Sequence, residues 1–526
     1  MTGPPSSFAE PTNIPTSVPT TEVIFLIMRR MRMPLLFVAT TFAEAPHPFS
    51  YPQRMWLTMS IYLLVISWAY TIAVFFALVQ GAPFQAAVAA QQFRRQVRRL
   101  VEPFVIVAGY GSAGRIVGAK LDENYRRFVV IDERADTVQS VVSEQLSFNV
   151  PAVQGDSGTP AVLGMAGLAH PDCEGVLALT DDDDTNLAVV MTASLLRPDL
   201  PVLGRCAQRR TRTRMEHFAP GSAINADDRF GDYLALSIQL PVNHQLLRWL
   251  MDNDQEQLRP ARRDLAARRW VVCAEGEFGD AVVQDLAAIG VGVDLVDPAG
   301  GDPDVSGSVG FIAGTANETL NIAMAEHARQ SNPDVYLVVP QETDARKSLL
   351  DAMQIESVYI DTEVIAREVL ARIVTPVFWS FIENVLTQDE QWAVQVRDHL
   401  RDRCGDRTPH RDVITLFARE TPAIADWLLQ GKALTLRTLM LRPDDRDSTL
   451  PLAALVLVRD GEPQFMPPED TPLALDDQVL LVGKPAGLAL VREICHYPAT
   501  VEYLATGRDI PLTWVWARLT ARGRVA

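Results

Sequence analysis

The sequence predicts an α/β protein: tandem Rossmann-like, doubly wound parallel sheets, preceded by a transmembrane helix and followed by a small α+β C-terminal lobe. Three observations carry this reading. A glycine-rich turn, Gly109-Tyr110-Gly111-Ser112-Ala113-Gly114, joins an apolar run to a helix-like run. The same succession of runs recurs later in the chain. Between Arg54 and Arg94 there is no charged residue.

In chain order, residues 1–23 are rich in Pro, Ser and Thr and read as a disordered tail. Residues 24–43 are apolar but interrupted by Arg29, Arg30, Arg32 and Pro34, so neither fragment is long enough to span a bilayer. Residues 55–80 read as a transmembrane helix. Trp56 to Val79 alone covers the ~30 Å of hydrocarbon in a bilayer. A buried core helix is seldom apolar all round at this length, and a signal peptide would start earlier and be shorter. Residues 81–102 form a basic helical linker, in which Arg94, Arg95, Arg98 and Arg99 place the following domains in the cytoplasm by the positive-inside rule. The basic residues at 29–32 favour the same side. A single span therefore puts residues 1–50 outside or makes 24–43 re-entrant or interfacial.

The first nucleotide-binding domain is expected over 103–250. Strands are expected at 104–108, 127–131, 151–154, 175–179, 201–204 and 221–224, then an amphipathic stretch from Phe230 to Met251. In the fingerprint the first glycine permits a tight turn, the second lets backbone approach a phosphate, and the third lets helix and strand pack closely. The helix N-terminus then offers free N–H groups to an anion. Asp132, followed by Glu133, closes the second strand and can accept the ribose hydroxyls. Arg134 beside it could tolerate a 2′-phosphate, although Asp132 favours an unphosphorylated ribose. The acidic run Asp181 to Asp184 permits two readings. One is a divalent-cation site. The other, favoured for its simplicity, is a helix cap by Thr180 or an Asp, with the acids complementing the dipole.

A second copy is expected over 269–385. Trp270 to Ala274 leads into Glu275-Gly276-Glu277-Phe278-Gly279, with Ala274 where the first glycine would be. Asp297 matches Asp132, and Thr315 to Asn321 matches Thr180 to Asn186. Pro198-Asp199 and Pro333-Asp334 then match in turn. The shorter spacing implies that the third strand and its helix are lost. Glu275 and Glu277 would repel phosphates, so this copy reads as a structural partner without nucleotide. Residues 413–526 change character: Leu452–Val458 and Gln478–Val482 are strand-like, with turn signals between them, as in a small α+β lobe.

A net charge of −17, with the arginine clusters beside the membrane segment, argues against nucleic-acid binding. The five cysteines are widely spaced without a CxxC, as reduced buried thiols would be. No Tyr-x-x-x-Lys pair and no Walker, HExxH or Gly-x-Ser-x-Gly motif occurs, so the chain reads as no enzyme.

The membrane helix, basic linker and two successive glycine-turn domains resemble prokaryotic potassium channels with tandem RCK (regulator of K⁺ conductance) domains, over most of 24–385. Asp470 to Gly483 is similar to the C-terminal subdomain of Trk-type uptake proteins. The resemblance implies NAD(H) or an adenine nucleotide (ATP or ADP) as regulatory ligand. Its phosphates would lie on Gly109, Gly111 and Gly114, its ribose on Asp132, and its ribose or base near Gly155-Asp156, with Thr180-Asp181 and Asn186 alongside. It also implies a homo-oligomer, a tetramer with eight RCK units, in the plasma membrane with its RCK domains in the cytoplasm. The chain departs from the family at the pore. Ala39-Thr40-Thr41-Phe42-Ala43-Glu44-Ala45-Pro46 stands where a filter should be, without the glycines, so 24–54 reads as a degenerate pore remnant. The expected function is a membrane-anchored, nucleotide-regulated subunit controlling K⁺ transport, conducting K⁺ itself only if the pore works. The alternatives are a Trk-like regulator of a separate or paralogous pore subunit and, behind it, an NAD-dependent oxidoreductase.

Overall fold

The computed structural model describes residues 50–508 apart from 81, 252–256, 267, 268, 302 and 342–345. The expected tail at 1–23, almost all of the pore remnant at 24–54, and residues 509–526 of the last lobe lie outside the described residues. The chain divides into two compact units, Met1–Gln91 and Gln92–Ala526.

In the first unit, helix α1 (Tyr51–Gln80) has a mean hydropathy of 2.2, and none of its apolar window is buried in the protein. It is the only single helix among the described residues that is long and apolar enough to cross a membrane. Its hydroxyls turn inward onto the helix backbone: Thr58, Ser60 and Thr71 donate to the carbonyls of Arg54, Trp56 and Ser67 at 2.7–2.9 Å. Helix α2 (Ala82–Val97) follows. Its end, from Gln92 onward, belongs to the second unit, where Phe93 and Val97 are buried in one core with Phe104 and Leu163.

The second unit begins with a six-stranded sheet. Its strands are β1 (Phe104–Ala108), β2 (Arg127–Asp132), β3 (Ala152–Gln154), β4 (Cys173–Ala178), β5 (Val202–Arg205) and β6 (Ala223–Ile224). They lie in the order β3-β2-β1-β4-β5-β6, all parallel. Parallel strands buried on both faces need continuous apolar runs, and Phe104–Ala108 is one. Val105 and Val107 face one core while Ile106 and Ala108 face another. Each of the valines and the isoleucine contributes about 1.5–3 kcal/mol on burial. The strand order reverses between β1 and β4, which is where open α/β sheets place ligands.

The second sheet comprises β7 (Trp270–Ala274), β8 (Val293–Leu295), β9 (Gly310–Gly314), β10 (Tyr336–Gln341) and β11 (Ser357–Ile360). Its order is β8-β7-β9-β10-β11, again all parallel. Superposing the orders pairs β7 with β1, β8 with β2, and β9, β10 and β11 with β4, β5 and β6. Among the described residues only the counterpart of β3 is missing.

The two copies clasp each other reciprocally. Helix α3 (Ser112–Glu123), which follows β1, packs on α13 (Asp361–Val374), which follows β11. Helix α8 (Ala226–Gln239), which follows β6, packs on α10 (Gly276–Ala288), which follows β7. One continuous core runs through both contacts, including Val117, Phe230, Leu234, Val282, Ile365 and Val369. At its centre Arg229 donates to both carboxylate oxygens of Glu368 at 2.8 and 2.9 Å, and Arg372 adds a third bond at 3.1 Å. Glu368 is 2 % exposed, and the two arginines supply the partners that burial of its carboxylate requires.

The last lobe is an antiparallel sheet of β12 (His410–Thr415), β13 (Leu452–Arg459), β14 (Glu462–Phe465) and β15 (Gln478–Gly483), in the order β12-β15-β13-β14. The run read from sequence as Asp476-Asp477 is a tight junction before β15. Asp477 is wholly buried and accepts from Arg459 Nε and Nη2 at 2.8 and 2.6 Å and from Ala474 N at 2.7 Å.

Candidate functional site

The glycine turn sits at the C-terminal end of β1. Its three glycines have different reasons to be glycine. Gly109 has φ +94°, and a Cβ there would stand 2.6 Å from the Thr180 nitrogen. A Cβ on Gly114 would stand 2.2 Å from the Gly109 carbonyl oxygen. Both are required by close backbone packing. Gly111 is not: its φ is −72°, and a Cβ there would meet nothing nearer than Asp181 Oδ2 at 3.9 Å. Gly111 is also the N-cap of α3, and no side chain caps that helix. Glycine at 111 therefore leaves open space in front of uncapped N–H groups, which is what an anionic ligand needs.

Asp132 lies at the end of β2, 7 % exposed. Its Oδ2 accepts from Tyr110 N at 2.8 Å and its Oδ1 from Arg134 N at 2.9 Å. The carboxylate thus holds the glycine turn against β2, and each oxygen keeps lone-pair capacity for a hydroxyl. Glu133 and Arg134 are exposed beside it. Gly155 follows β3 and donates to the Asp132 carbonyl at 2.9 Å. Asp156 accepts from Gly158 N at 2.8 Å and from Thr159 Oγ1 at 3.1 Å, which shapes the loop at this rim of the site. Ser112 is exposed at the first helical position, whereas Ala113 is buried.

Two expected contacts need correction. The Tyr110 side chain does not face the site. Its ring is fully buried beneath α3, where a Cβ on Gly118 would stand 2.7 Å from it, and its hydroxyl donates to Glu144 at 2.9 Å. Burial and the adjacent Glu144 carboxylate push its phenol pKa well up. Asn186 is also wholly buried. Its Oδ1 accepts from Thr180 N and Oγ1 at 3.0 and 2.7 Å, and its Nδ2 donates to the carbonyls of Thr180 and Arg205 at 2.8 and 3.0 Å. Every polar atom of that amide is used, so Asn186 is a latch that fixes the Thr180 loop.

The acidic run is disassembled into separate tasks. Asp182 caps α6 (Asp183–Leu196), accepting from Thr185 N and Oγ1 at 2.8 and 2.6 Å. The Thr185 hydroxyl and amide hold the Asp182 carboxyl below its ordinary pKa. Asp183 accepts from the backbone of Ala207 and Gln208 at 2.8 and 3.0 Å. Asp181 pairs with Arg205. Among the described residues no group of His, Cys, Asp and Glu could hold a metal ion. Arg205, at the C-terminal end of β5, was not singled out in the sequence reading. The signal for it was positional: a charged residue closing an otherwise apolar strand at the ligand edge of the sheet.

The second copy repeats the latch but not the site. Asn321 Oδ1 accepts from Thr315 N and Oγ1 at 2.9 and 2.7 Å, and its Nδ2 returns to the Thr315 carbonyl at 2.9 Å. The turn differs: here Gly276 carries the positive φ, +68°. Phe278 packs against the core beneath the turn, and a Cβ on Gly276 would meet nothing within 4 Å, so this turn is not filled. A Cβ on Gly314 would meet its ring at 2.5 Å, and the ring stacks on Tyr359 at 5.4 Å between centroids. Asp297 does not reach the turn; it accepts from Ala299 N at 2.9 Å, next to its own position. All five cysteines are buried and unpaired.

Residues 105–224 match the family model of the TrkA-N domain. Among solved structures, the chain is similar to the GsuK RCK domain at 12 % identity, covering 76 % of this chain and 96 % of that one with a TM-score of 0.42. It is similar to the GsuK channel bound to NAD at 14 % identity, covering 88 % and 91 % with a TM-score of 0.43. For the human SLO3 gating ring the identity is 8 %, the coverage 73 % and 99 %, and the TM-score 0.38. No curated protein matches the chain.

Proposed function

We propose that this chain is a membrane-anchored RCK subunit that controls K⁺ transport in response to a nucleotide bound at the first glycine turn. The observation that carries the reading is Gly111, a glycine that packing does not require, placed before the uncapped N-terminus of α3 in a TrkA-N domain. The residues present fit a nucleotide. The turn from Gly109 to Gly114 would take its phosphates, Asp132 with Glu133 its ribose, and Gly155-Asp156 the ribose or base rim, with Thr180-Asp181 flanking. A protein named as the GsuK channel was solved with NAD and another GsuK structure with ADP. NAD(H) or an adenine nucleotide is accordingly the ligand proposed here.

The bound nucleotide supplies binding free energy rather than chemistry, and no catalytic residue is assigned. Gating requires that it bind two arrangements of the domains unequally. The two reciprocal helix contacts, α3 with α13 and α8 with α10, are the joints at which such arrangements would differ. A ring of four chains would contain eight such folds, cytoplasmic in placement, with α1 as the anchor in the plasma membrane. The apolar surface of α1 supports that anchor. A second reading, a regulator acting on a separate pore, is favoured by the missing glycines in Ala39–Pro46.

The test is K⁺ flux from proteoliposomes of the purified chain, with and without NADH or ADP. Nucleotide-dependent flux is the expected outcome for a complete channel. Absent flux with nucleotide binding retained selects the separate-pore reading, and absence of nucleotide binding overturns both.

A further inference from the structure

Beside the glycine turn, one cation joins the two copies. Arg205 ends β5 with its side chain 19 % exposed. Its Nη1 pairs with Asp181 Oδ1, and its Nη2 reaches Asp361 Oδ2 at 3.1 Å. Asp361 is the first residue of α13, the second copy's helix that packs on α3. The other oxygen of Asp181 is the nearest atom to the empty Cβ position of Gly111, at 3.9 Å. A chain of carboxylate, guanidinium and carboxylate therefore runs from the open turn of the first copy to the first turn of a helix in the second.

We propose that Arg205 reads the diphosphate of the ligand: an anion seated at Gly111 displaces Asp181 from Arg205, takes its place, and is thereby linked through Arg205 to Asp361 of the second copy. This rests on the nucleotide reading above. Two carboxylates already share one guanidinium, and phosphate oxygens at Gly111 would add negative charge beside Asp181. The least costly relief is rotation of Asp181 into water, because its side chain is 84 % exposed and stays solvated as it leaves. Arg205 cannot leave in the same way, being mostly buried and anchored on Asp361. A planar guanidinium can hold a carboxylate on one edge and a phosphate on the other. Asp181 then acts as a tethered stand-in for the ligand. It keeps the mostly buried cation paired when no nucleotide is present. The ligand class that gains is any adenine nucleotide with at least two phosphates, whether ADP or a dinucleotide.

The experiment uses the full chain in detergent and titrates ADP, NADH and adenosine by calorimetry. Arg205→Gln is expected to weaken ADP and NADH about tenfold or more, the loss of one charge-assisted phosphate contact, and to leave adenosine unchanged. Asp181→Asn, which removes an exposed competitor, is expected to tighten ADP several-fold. In Asp361→Asn, ADP-dependent slowing of amide exchange across residues 361–374 should disappear. ADP affinity unchanged in Arg205→Gln, or weakened in Asp181→Asn, overturns the proposal while leaving the nucleotide reading intact. A wild-type chain that binds none of the three ligands overturns the nucleotide reading and this proposal together. Were Arg205→Gln to unfold, Asp181→Asn would carry the test, since an exposed carboxylate can be neutralised without leaving a buried charge. Equal gains for ADP and NADH identify the diphosphate as the group read, and a gain for ADP alone narrows the ligand to mononucleotides.

Discussion

The two Rossmann-like copies share a latch and differ at the turn. Thr180–Asn186 and Thr315–Asn321 form the same bonds within about 0.1 Å of each other. Yet in the first copy Asp132 accepts from Tyr110 N and ties the turn to β2, whereas in the second Asp297 accepts from Ala299 N instead and an exposed glutamate, Glu275, stands before the helix. The latch is a folding requirement, because it satisfies the backbone of a loop that must cross the sheet edge, and both copies keep it. The tie from the acid to the turn is kept in the first copy alone. Comparing the copies therefore separates what the fold needs from what binding needs.

The largest expected effect breaks that comparison directly. Gly111→Asp places a carboxylate at the phosphate position and should lower ADP and NADH affinity more than a hundredfold, by about 2.7 kcal/mol or more. Gly276→Asp in the second copy should leave that affinity unchanged. Calorimetry on both variants decides the matter, and a clear loss in Gly276→Asp would show that the second copy binds as well.

Next, the shared latch should behave alike in both copies. Asn186→Ala and Asn321→Ala each strand the Thr amide and hydroxyl and should cost about 1–3 kcal/mol in urea unfolding. A latch that proved dispensable in one copy alone would break the equivalence. A smaller contrast concerns the acids at the ends of β2 and β8. Asp132→Ala should weaken nucleotide binding by about 1–3 kcal/mol, partly through the ribose and partly by releasing Tyr110 N. Asp297→Ala should leave nucleotide binding unchanged, because Asp297 bonds only within its own turn.

The smallest effect at any one pH lies between the copies. His244, on α9 (Pro241–Met251), lines two adjoining cavities of about 240 and 260 Å³, and burial, with Arg248 adding to it, lowers its pKa from 6.5 to about 4. A histidine with a depressed folded pKa gives full stability above pH 6.5. Stability falls as the pH drops from 6.5 towards 4, because the unfolded chain takes up the proton first. The slope approaches about 1.4 kcal/mol per pH unit within that window, and at pH 6 the effect is still below about 1 kcal/mol. In His244→Gln the urea midpoint should vary less with pH there than in the wild type, and an identical pH profile would remove His244 as the cause.

Much of this was legible in the sequence for local reasons. Strand β1 was read to the residue because Pro103 and Gly109 bracket five apolar side chains. The loss of the third strand from the second copy followed from spacing alone. Strand β6 was read too long: 221–224 was expected and only Ala223–Ile224 pairs, because it has a neighbour on one side only. Arg205, Phe278 and the inward turn of Tyr110 depend on which loops meet across the sheet, and periodicity carries no record of that. Asn186 was picked out correctly as a repeated residue but given the wrong task. Repetition in both copies was the clue that it serves the fold.

The unequal acids have one more consequence. Asp132 ties its turn to β2 through Tyr110 N, while Asp297 closes on Ala299 N instead. On the function proposed above, the first fold of each chain takes the input and the second serves as a fulcrum. If four such chains close a ring, the assembly has eight folds but four inputs, and every nucleotide bound pushes in one direction.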